Sequence, residues 1–522
     1  MVWCSFFGSD EKNLTAVEDI VPIPTLDALR NSLPFDSMPG PQSIRLLAKL
    51  WSIVPLQGKQ VEFVQNIAGA DRLFSYLNWY DNQTLFKRMI REYGPIVRLQ
   101  GPFGGNVIVM LRLEDAMNLT KNEGQFPIRS SIDSLEQYRL ECRRYKQAGP
   151  FLTNGPGWKK LRSVLENRIK VYVDDQSKVI DEVSEKFIER ILCVRNKQEK
   201  VPHTFYSEIN KWSLECLCSI LLNKRLGFLD ESYLSVSSEP ARILDGVQET
   251  VAAIRSCEFG FHLWRLVETS GWKRLVKNCD VFDTIFNKYI YKAQETLRQK
   301  MENEGNVIPE KVTFLESLLL KEELSVEDVL TVLLDMIIIG STALTHSVAF
   351  LLYHLSRYPS AQRKLYNEVM KPTQVDTSQM SYLEACIKES LRLKQPIPLI
   401  SRMVSEDCLI RNYQVPKGTH VLIPIQTYSN KEEYFEDALR FQPERWLHED
   451  LKLNDFDLST LSFGFGSRSC FAKGLAKMHI GILMTKIIQK FRLEYEYGEI
   501  KSTNRMLATP DRSLRFTFVD RI

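Results

Sequence analysis

Between Gly157 and about residue 370 the alternation of apolar and polar positions predicts helix almost without interruption. Within that run Ser325, followed three residues later by Asp328, forms a capping signal that opens a helix of some thirty residues. Another helix is expected over about 381–394, halted before Pro396 and Pro398. A Gly-rich loop, Phe463–Cys470, then feeds a last long helix to about 490. Strand patterns come from both ends of the chain. Residues 82–93 read as a helix stopping before Gly94-Pro95, and Ile96–Gln100 with Val107–Leu111 read as a hairpin around Gly101–Asn106. Short strands follow around 407–411 and 419–424, and strand-like segments close the chain. The expected architecture is mainly α with a small β lobe, in one domain over 39–522. A poorly structured leader, 1–38, precedes it and ends at the rigid turn Pro39-Gly40-Pro41.

Composition narrows the class. The 522 residues are 44% hydrophobic and 25% charged, which excludes a disordered or collagen-like chain. A net charge of +3 without any Lys/Arg tract gives no footing for nucleic acid. Ten cysteines are scattered with no C-x-x-C pair, a pattern of buried, reduced thiols rather than a disulfide framework. The longest run free of Asp, Glu, Lys and Arg, Met336 to Ser356, is long enough for a bilayer, but its Ser, Thr and His residues make it a buried helix. Residues 1–30 are acidic and show neither an Arg-rich transit peptide nor a secretory signal. The expectation is a soluble protein or one with peripheral membrane contact.

The strongest chemical signal is Phe463-Gly464-Phe465-Gly466-Ser467-Arg468-Ser469-Cys470. A thiolate ligating haem iron lies close beneath the macrocycle, with backbone N–H groups moderating its charge. Gly464 and Gly466 permit the tight turn, Arg468 is placed to neutralise a propionate, and the next helix points its positive end at Cys470. This loop resembles the haem-ligand loop of the cytochrome P450 superfamily. Four further segments match in order. Trp158-x-x-x-Arg162 is similar to that family's haem-propionate pair, and Glu389-Ser390-Leu391-Arg392 to its E-x-x-R helix. Arg402 stands where a propionate-binding Arg follows, and Phe441-Gln442-Pro443-Glu444-Arg445-Trp446 resembles the segment that completes a Glu–Arg–Arg triad. Glu389 and Arg392 are one helical turn apart and can pair, and a bidentate Arg445 would saturate the carboxylate. The resemblance implies a single-domain cytochrome P450 fold holding heme b, with Cys470 as the iron's axial ligand.

Pro127-x-Arg129, Tyr138-Arg139, Asn154–Trp158 and Ala385–Glu389 resemble the mitochondrial clan. Trp212–Cys218 and Thr509–Arg515 are similar to arthropod ecdysteroid hydroxylases of the 2-hydroxylase type. The implied activity is monooxygenation of a lipophilic, sterol- or ecdysteroid-like substrate at the mitochondrial inner membrane, with electrons from a ferredoxin that meets Lys388 and Lys473. Glu384 and Gly474 stand at positions that are usually basic in that clan, so docking is expected to be weaker or to use other residues. Ala472 replaces the usual Gly two residues after the Cys. The largest departure is in the central helix, which has Ile339-Gly340-Ser341-Thr342-Ala343-Leu344: Thr342 occupies the acid position and Ala343 the alcohol position. Gly340 leaves room for oxygen, and the lost proton-handling group, worth on the order of 10²–10⁴-fold in rate, is expected to be replaced by the Thr342 or Ser341 hydroxyl, by a substrate hydroxyl or by ordered water. The same loss supports two alternatives: a haem-thiolate isomerase or dehydratase needing no reductase, or a catalytically impaired haem- or ligand-binding protein. By resemblance the pocket is lined by 126–145, about 240–262, Ile337–Ser341, Pro396–Ile400 and Met506–Thr509.

Overall fold

The computed structural model describes residues 32–41 and 82–521, apart from 101–105, 130–131, 174–175, 236, 259–262, 304–311, 372–379, 448–451, 454–455 and 504–506. The β lobe is built on a four-stranded sheet. Strands β1 (Ile96–Gln100) and β2 (Asn106–Met110) form the expected hairpin, with Ile96 opposite Met110. Two strands from the far end of the chain, β3 (Ile400–Met403) and β4 (His420–Ile423), complete the order β1-β2-β4-β3. β4 runs parallel to β2 and antiparallel to β3, so a contact between residues more than 300 positions apart closes the lobe. β3 has no counterpart in the apolar pattern, because it is short and carries Ser401 and Arg402 in alternation.

The leader boundary needs correction. Residues 1–31 lie outside the described residues, but 32–38 are packed into the β lobe. Leu33 bridges to Tyr413, Arg98 pairs with Asp36 at 2.6 Å, and Met38 is fully buried. A buried methionine and a β-bridge supply the contacts that a polar leader would lack.

Four helices position the site: α1 (Gly155–Val173), α2 (Val326–Arg357), α3 (Ser381–Leu393) and α4 (Lys473–Lys490). α2 opens on the expected capping box, with Ser325 accepting from the Asp328 N–H and Asp328 accepting from the Ser325 N–H. It is long and apolar enough to cross a membrane, yet 78% of its most apolar window is buried inside the fold. It threads the main hydrophobic core, packed by the helix Phe205–Leu222 and by α4. At Met336–Gly340 its hydrogen bonding loosens into a wide π-helical turn. Such turns widen the helix by one residue and recur at functional sites.

Candidate haem-thiolate site

The loop that ends at Cys470 is shaped by its own backbone. Gly464 and Gly466 take φ values of +77° and +67°, a region that costs an L-residue roughly 1–2 kcal/mol. The Cys470 N–H donates to the Phe463 carbonyl at 2.9 Å, and the Ser469 N–H to that of Gly466 at 3.1 Å. The loop is thereby closed, and the Cys470 thiol opens onto an interior cavity of about 460 Å³. Burial raises the pKa of Cys470, and the Ala472 N–H and the Arg162 and Arg129 charges oppose that rise. These opposing groups favour the thiolate, the form that binds a metal.

Gly466 also meets a neighbour: a Cβ there would lie 2.9 Å from Glu123 Oε1. Gly466→Ala is therefore expected to displace the loop and cost about 1–2 kcal/mol from φ alone. The measurement is haem bound per chain after purification, which should drop; an unchanged ratio would show that the loop can shift freely.

Four arginines reach the same cavity: Arg129, Arg162, Arg402 and Arg468. Arg468 lies 3.8 Å over the Trp158 ring, so two of the residues expected at the propionates are stacked on one another. Its donors go to the carbonyls of Pro127 and Thr153 and to Asn154 Oδ1. Arg162 donates to the Ser469 carbonyl and to Glu166 (2.7 Å), while its Nε is buried without a partner among the described residues. Arg402 is brought in by β3 and held by Glu123 at 2.7 Å. Burial, then mutual repulsion, pushes Arg129 down to about 10 and Arg468 to about 9. A cradle holding more positive than negative charge suits a dianionic edge. The propionates of a haem fit it, with a thiol on one side and apolar walls on the others.

The structural triad is more connected than expected. Glu389 is fully buried, and both its oxygens accept from Arg392, at 2.8 and 2.9 Å. The bidentate partner is Arg392. Arg445 gives a single bond through Nε at 3.1 Å, correcting the expectation that it would be bidentate. The Trp446 indole N–H (2.9 Å) and the Gln442 N–H (3.0 Å) fill the remaining lone pairs. Arg392 also donates to the carbonyls of Ser429, Ala438 and Arg440, which ties α3 to the chain leading into the Cys470 loop.

The expectation that the Ser341 or Thr342 hydroxyl handles the proton is corrected. Gly340 and Ala343 line the cavity, but Ser341 and Thr342 do not. Thr342 donates back to the Ile338 carbonyl at 2.7 Å. Ser341 is fully buried, and its carbonyl accepts from Thr345 and from Ser213 on the helix Phe205–Leu222. Helical geometry is the cause: with 3.6 residues per turn, Ile339, Gly340, Ala343 and Ser347 share a face, and positions 341 and 342 rotate away from it.

Of the expected lining, Arg129 and Ile132, Glu258, Ile339 and Gly340, and most of Pro396–Ile400 reach the cavity. Ile337 packs into the core instead, and Leu507–Thr509 stay off the wall. Met506 and residues 130–131 and 259–262 lie outside the described residues. Two polar groups have no signal in the motifs: Glu123 and Asp335. Asp335 lies against Arg139 at 2.8 Å and accepts from the Phe151 N–H, and burial raises its pKa. Nothing in the local sequence marks a lone acid whose partner is far away along the chain.

Comparison with known proteins gives the class. The cytochrome P450 family model matches residues 70–518, and the chain belongs to that family. It is 29% identical over 511 residues to "probable cytochrome P450 301a1, mitochondrial" of Drosophila melanogaster, covering 93% of this chain and 87% of that protein. It is 28% identical over 440 residues to the mitochondrial 1,25-dihydroxyvitamin D(3) 24-hydroxylase of Rattus norvegicus, covering 82% of each. It is 28% identical over 474 residues to mitochondrial cytochrome P450 302a1 of Drosophila melanogaster, covering 88% and 90%. A solved zebra fish cytochrome P450 shares the fold at a TM-score of 0.69 and 18% identity, over 84% of this chain and 99% of that one. The chain is a haem-thiolate monooxygenase of mitochondrial type, with the α-rich P450 fold and haem iron held by a cysteine. Haem, when bound, supplies oxygen activation, and the thiolate supports O–O cleavage.

Proposed function

We propose that this enzyme hydroxylates a lipophilic, sterol- or ecdysteroid-like molecule in the mitochondrion, taking electrons from a ferredoxin. The observation that carries the reading is the wall facing Cys470. Met336, Ile339, Ala343, Leu344, Pro396 and Ile397 line a 460 Å³ space with few polar groups. Such a wall holds an apolar body and orients it by a few polar contacts. The 24-hydroxylase among the relatives supports a substrate of that character. Exposed Leu263, Leu266 and Val267, between the helices Glu239–Glu258 and Ser270–Asn303, offer an apolar surface for peripheral membrane contact. The test is a spectral titration of haem-loaded protein with sterols of graded polarity. A ligand that displaces water from the iron shifts the Soret band; no shift across the series would overturn the substrate class.

The ferredoxin surface centres on α3 and α4. Lys388 pairs with Glu384 at 3.3 Å, and Lys477 pairs with the same carboxylate at 2.9 Å, while Lys473 is exposed one turn earlier. Glu384 thus neutralises two of the cations that an acidic partner would meet. Glu384→Gln is expected to tighten ferredoxin binding at low salt by about 2- to 5-fold, the scale of a surface charge worth ~0.5–1 kcal/mol. Stopped-flow reduction across ionic strength measures it, and an unchanged association rate would place the docking face elsewhere.

A second reading is favoured by the bare cavity face at Ala343: an isomerase or dehydratase that needs no reductase. A third is a ligand-binding protein that has lost turnover. Ala343→Thr, which places a hydroxyl on the cavity face, separates them. A monooxygenase gains coupling, the share of electrons ending in hydroxylated product rather than peroxide. The gain is bounded by the ~10²–10⁴-fold that acid–base catalysis supplies. An isomerase gains nothing and turns over a hydroperoxide without an electron donor, and a binding protein does neither.

A further inference from the structure

Glu123 follows the helix Leu113–Lys121, and its side chain is 9% exposed. Oε2 accepts from Arg402 Nε at 2.7 Å, across 279 residues of sequence. Oε1 has no hydrogen-bond partner among the described residues and faces Gly466 in the Cys470 loop. Arg402 is held on its other edge as well, with one Nη donating to the Phe465 carbonyl at 3.3 Å and the other to its neighbour Ser401 at 3.0 Å. The guanidinium that lines the haem space is therefore clamped between an acid from the β lobe and the loop that carries the thiol. Burial raises the pKa of Glu123, and the charges of Arg402, Arg468 and Arg129 oppose that rise and favour its carboxylate. Glu166 is the acid paired with Arg162, which leaves Glu123 as the acid set against Arg402.

We propose that Glu123 is a positioning residue for the haem: it fixes Arg402 at the propionate edge and cancels one of the four positive charges there, lowering the reduction potential. The sign follows from charge alone. Reduction adds one negative charge to the haem, so a nearby carboxylate disfavours the ferrous state and its removal favours it. Water reaches neither partner freely, so the effect is not screened as a surface charge would be. It requires haem binding but no particular substrate.

The experiment is a spectroelectrochemical titration of haem-loaded protein. Glu123→Gln keeps the shape and the acceptor for Arg402 but removes the charge. Its ferrous form is expected to be favoured about tenfold more than in the parent, an upward shift of about 59 mV for a one-electron couple. Glu123→Asp, which keeps the charge, is expected to stay at the parent potential. The double variant Glu123→Gln, Arg402→Gln removes one charge of each sign and is expected to return to it. A Glu123→Gln potential equal to the parent's overturns the proposal. If Glu123→Gln fails to retain haem, the double variant decides. Haem retained at the parent potential supports compensation of Arg402 by Glu123; haem lost in both shows that Glu123 only holds the fold and overturns the proposal.

Discussion

Cys470→Ser is expected to abolish turnover while leaving the chain folded. The substitution exchanges sulfur for oxygen in a loop whose shape is held by backbone bonds, Cys470 N–H to Phe463 and Ser469 N–H to Gly466. Packing is therefore conserved and only the ligand chemistry changes. An alcohol does not ionise in this cavity-facing loop, where even the thiol is pushed up and is helped only by the Ala472 N–H and nearby cations. Without a thiolate the electron push toward O–O cleavage is lost. The measurement is the absorption of the reduced, carbon-monoxide-treated protein: the red-shifted Soret band of thiolate ligation should vanish while far-ultraviolet dichroism stays the same. A band that persists in the serine variant would mean that another residue holds the iron.

Glu389→Gln is expected to have the next largest effect, on stability rather than chemistry. The carboxylate is completely buried and receives five hydrogen bonds, from Arg392 twice, Arg445, Trp446 and Gln442. Neutralising it leaves two guanidiniums uncompensated, since Arg392 is 2% exposed and Arg445 only 7%. Breaking one side of such a buried ionic group costs about 3–5 kcal/mol, a large part of the ~5–15 kcal/mol that holds a domain together. Little haem-loaded protein should be recovered, and its thermal midpoint should fall well below the parent's. The exposed pair Arg88–Glu92 is the control, and Glu92→Gln should leave the midpoint where it was. Equal midpoints for the two variants would show that the triad's charge is dispensable.

The parts of the site that follow one another along the chain are legible in the amino-acid sequence itself. The Cys470 loop carries its glycines, its arginine and its ligand within eight residues, so local backbone sterics dictate its shape. Glu389 and Arg392 are a turn apart on one helix, and the Ser325 capping box declares its own end of α2. The resemblance to the family likewise rests on short motifs in a fixed order.

What the sequence leaves open is every choice made across distance or around a helix. Whether Ser341, Thr342 or Ala343 faces the haem space depends on the rotational setting of α2, which the π turn at Met336–Gly340 and the packing of Ser213 against the Ser341 carbonyl decide. The single bond of Arg445, and the Trp446 and Gln442 donors beside it, emerge only when a turn from the β-rich end folds against α3. Glu123 meets Arg402 because a strand near residue 400 closes a sheet begun near residue 96. The primary structure by itself determined the chemistry available: a thiolate, a set of arginines and an apolar helix. Only the tertiary structure decided which charges face one another, because charge pairing falls off with distance in space and is blind to separation along the chain.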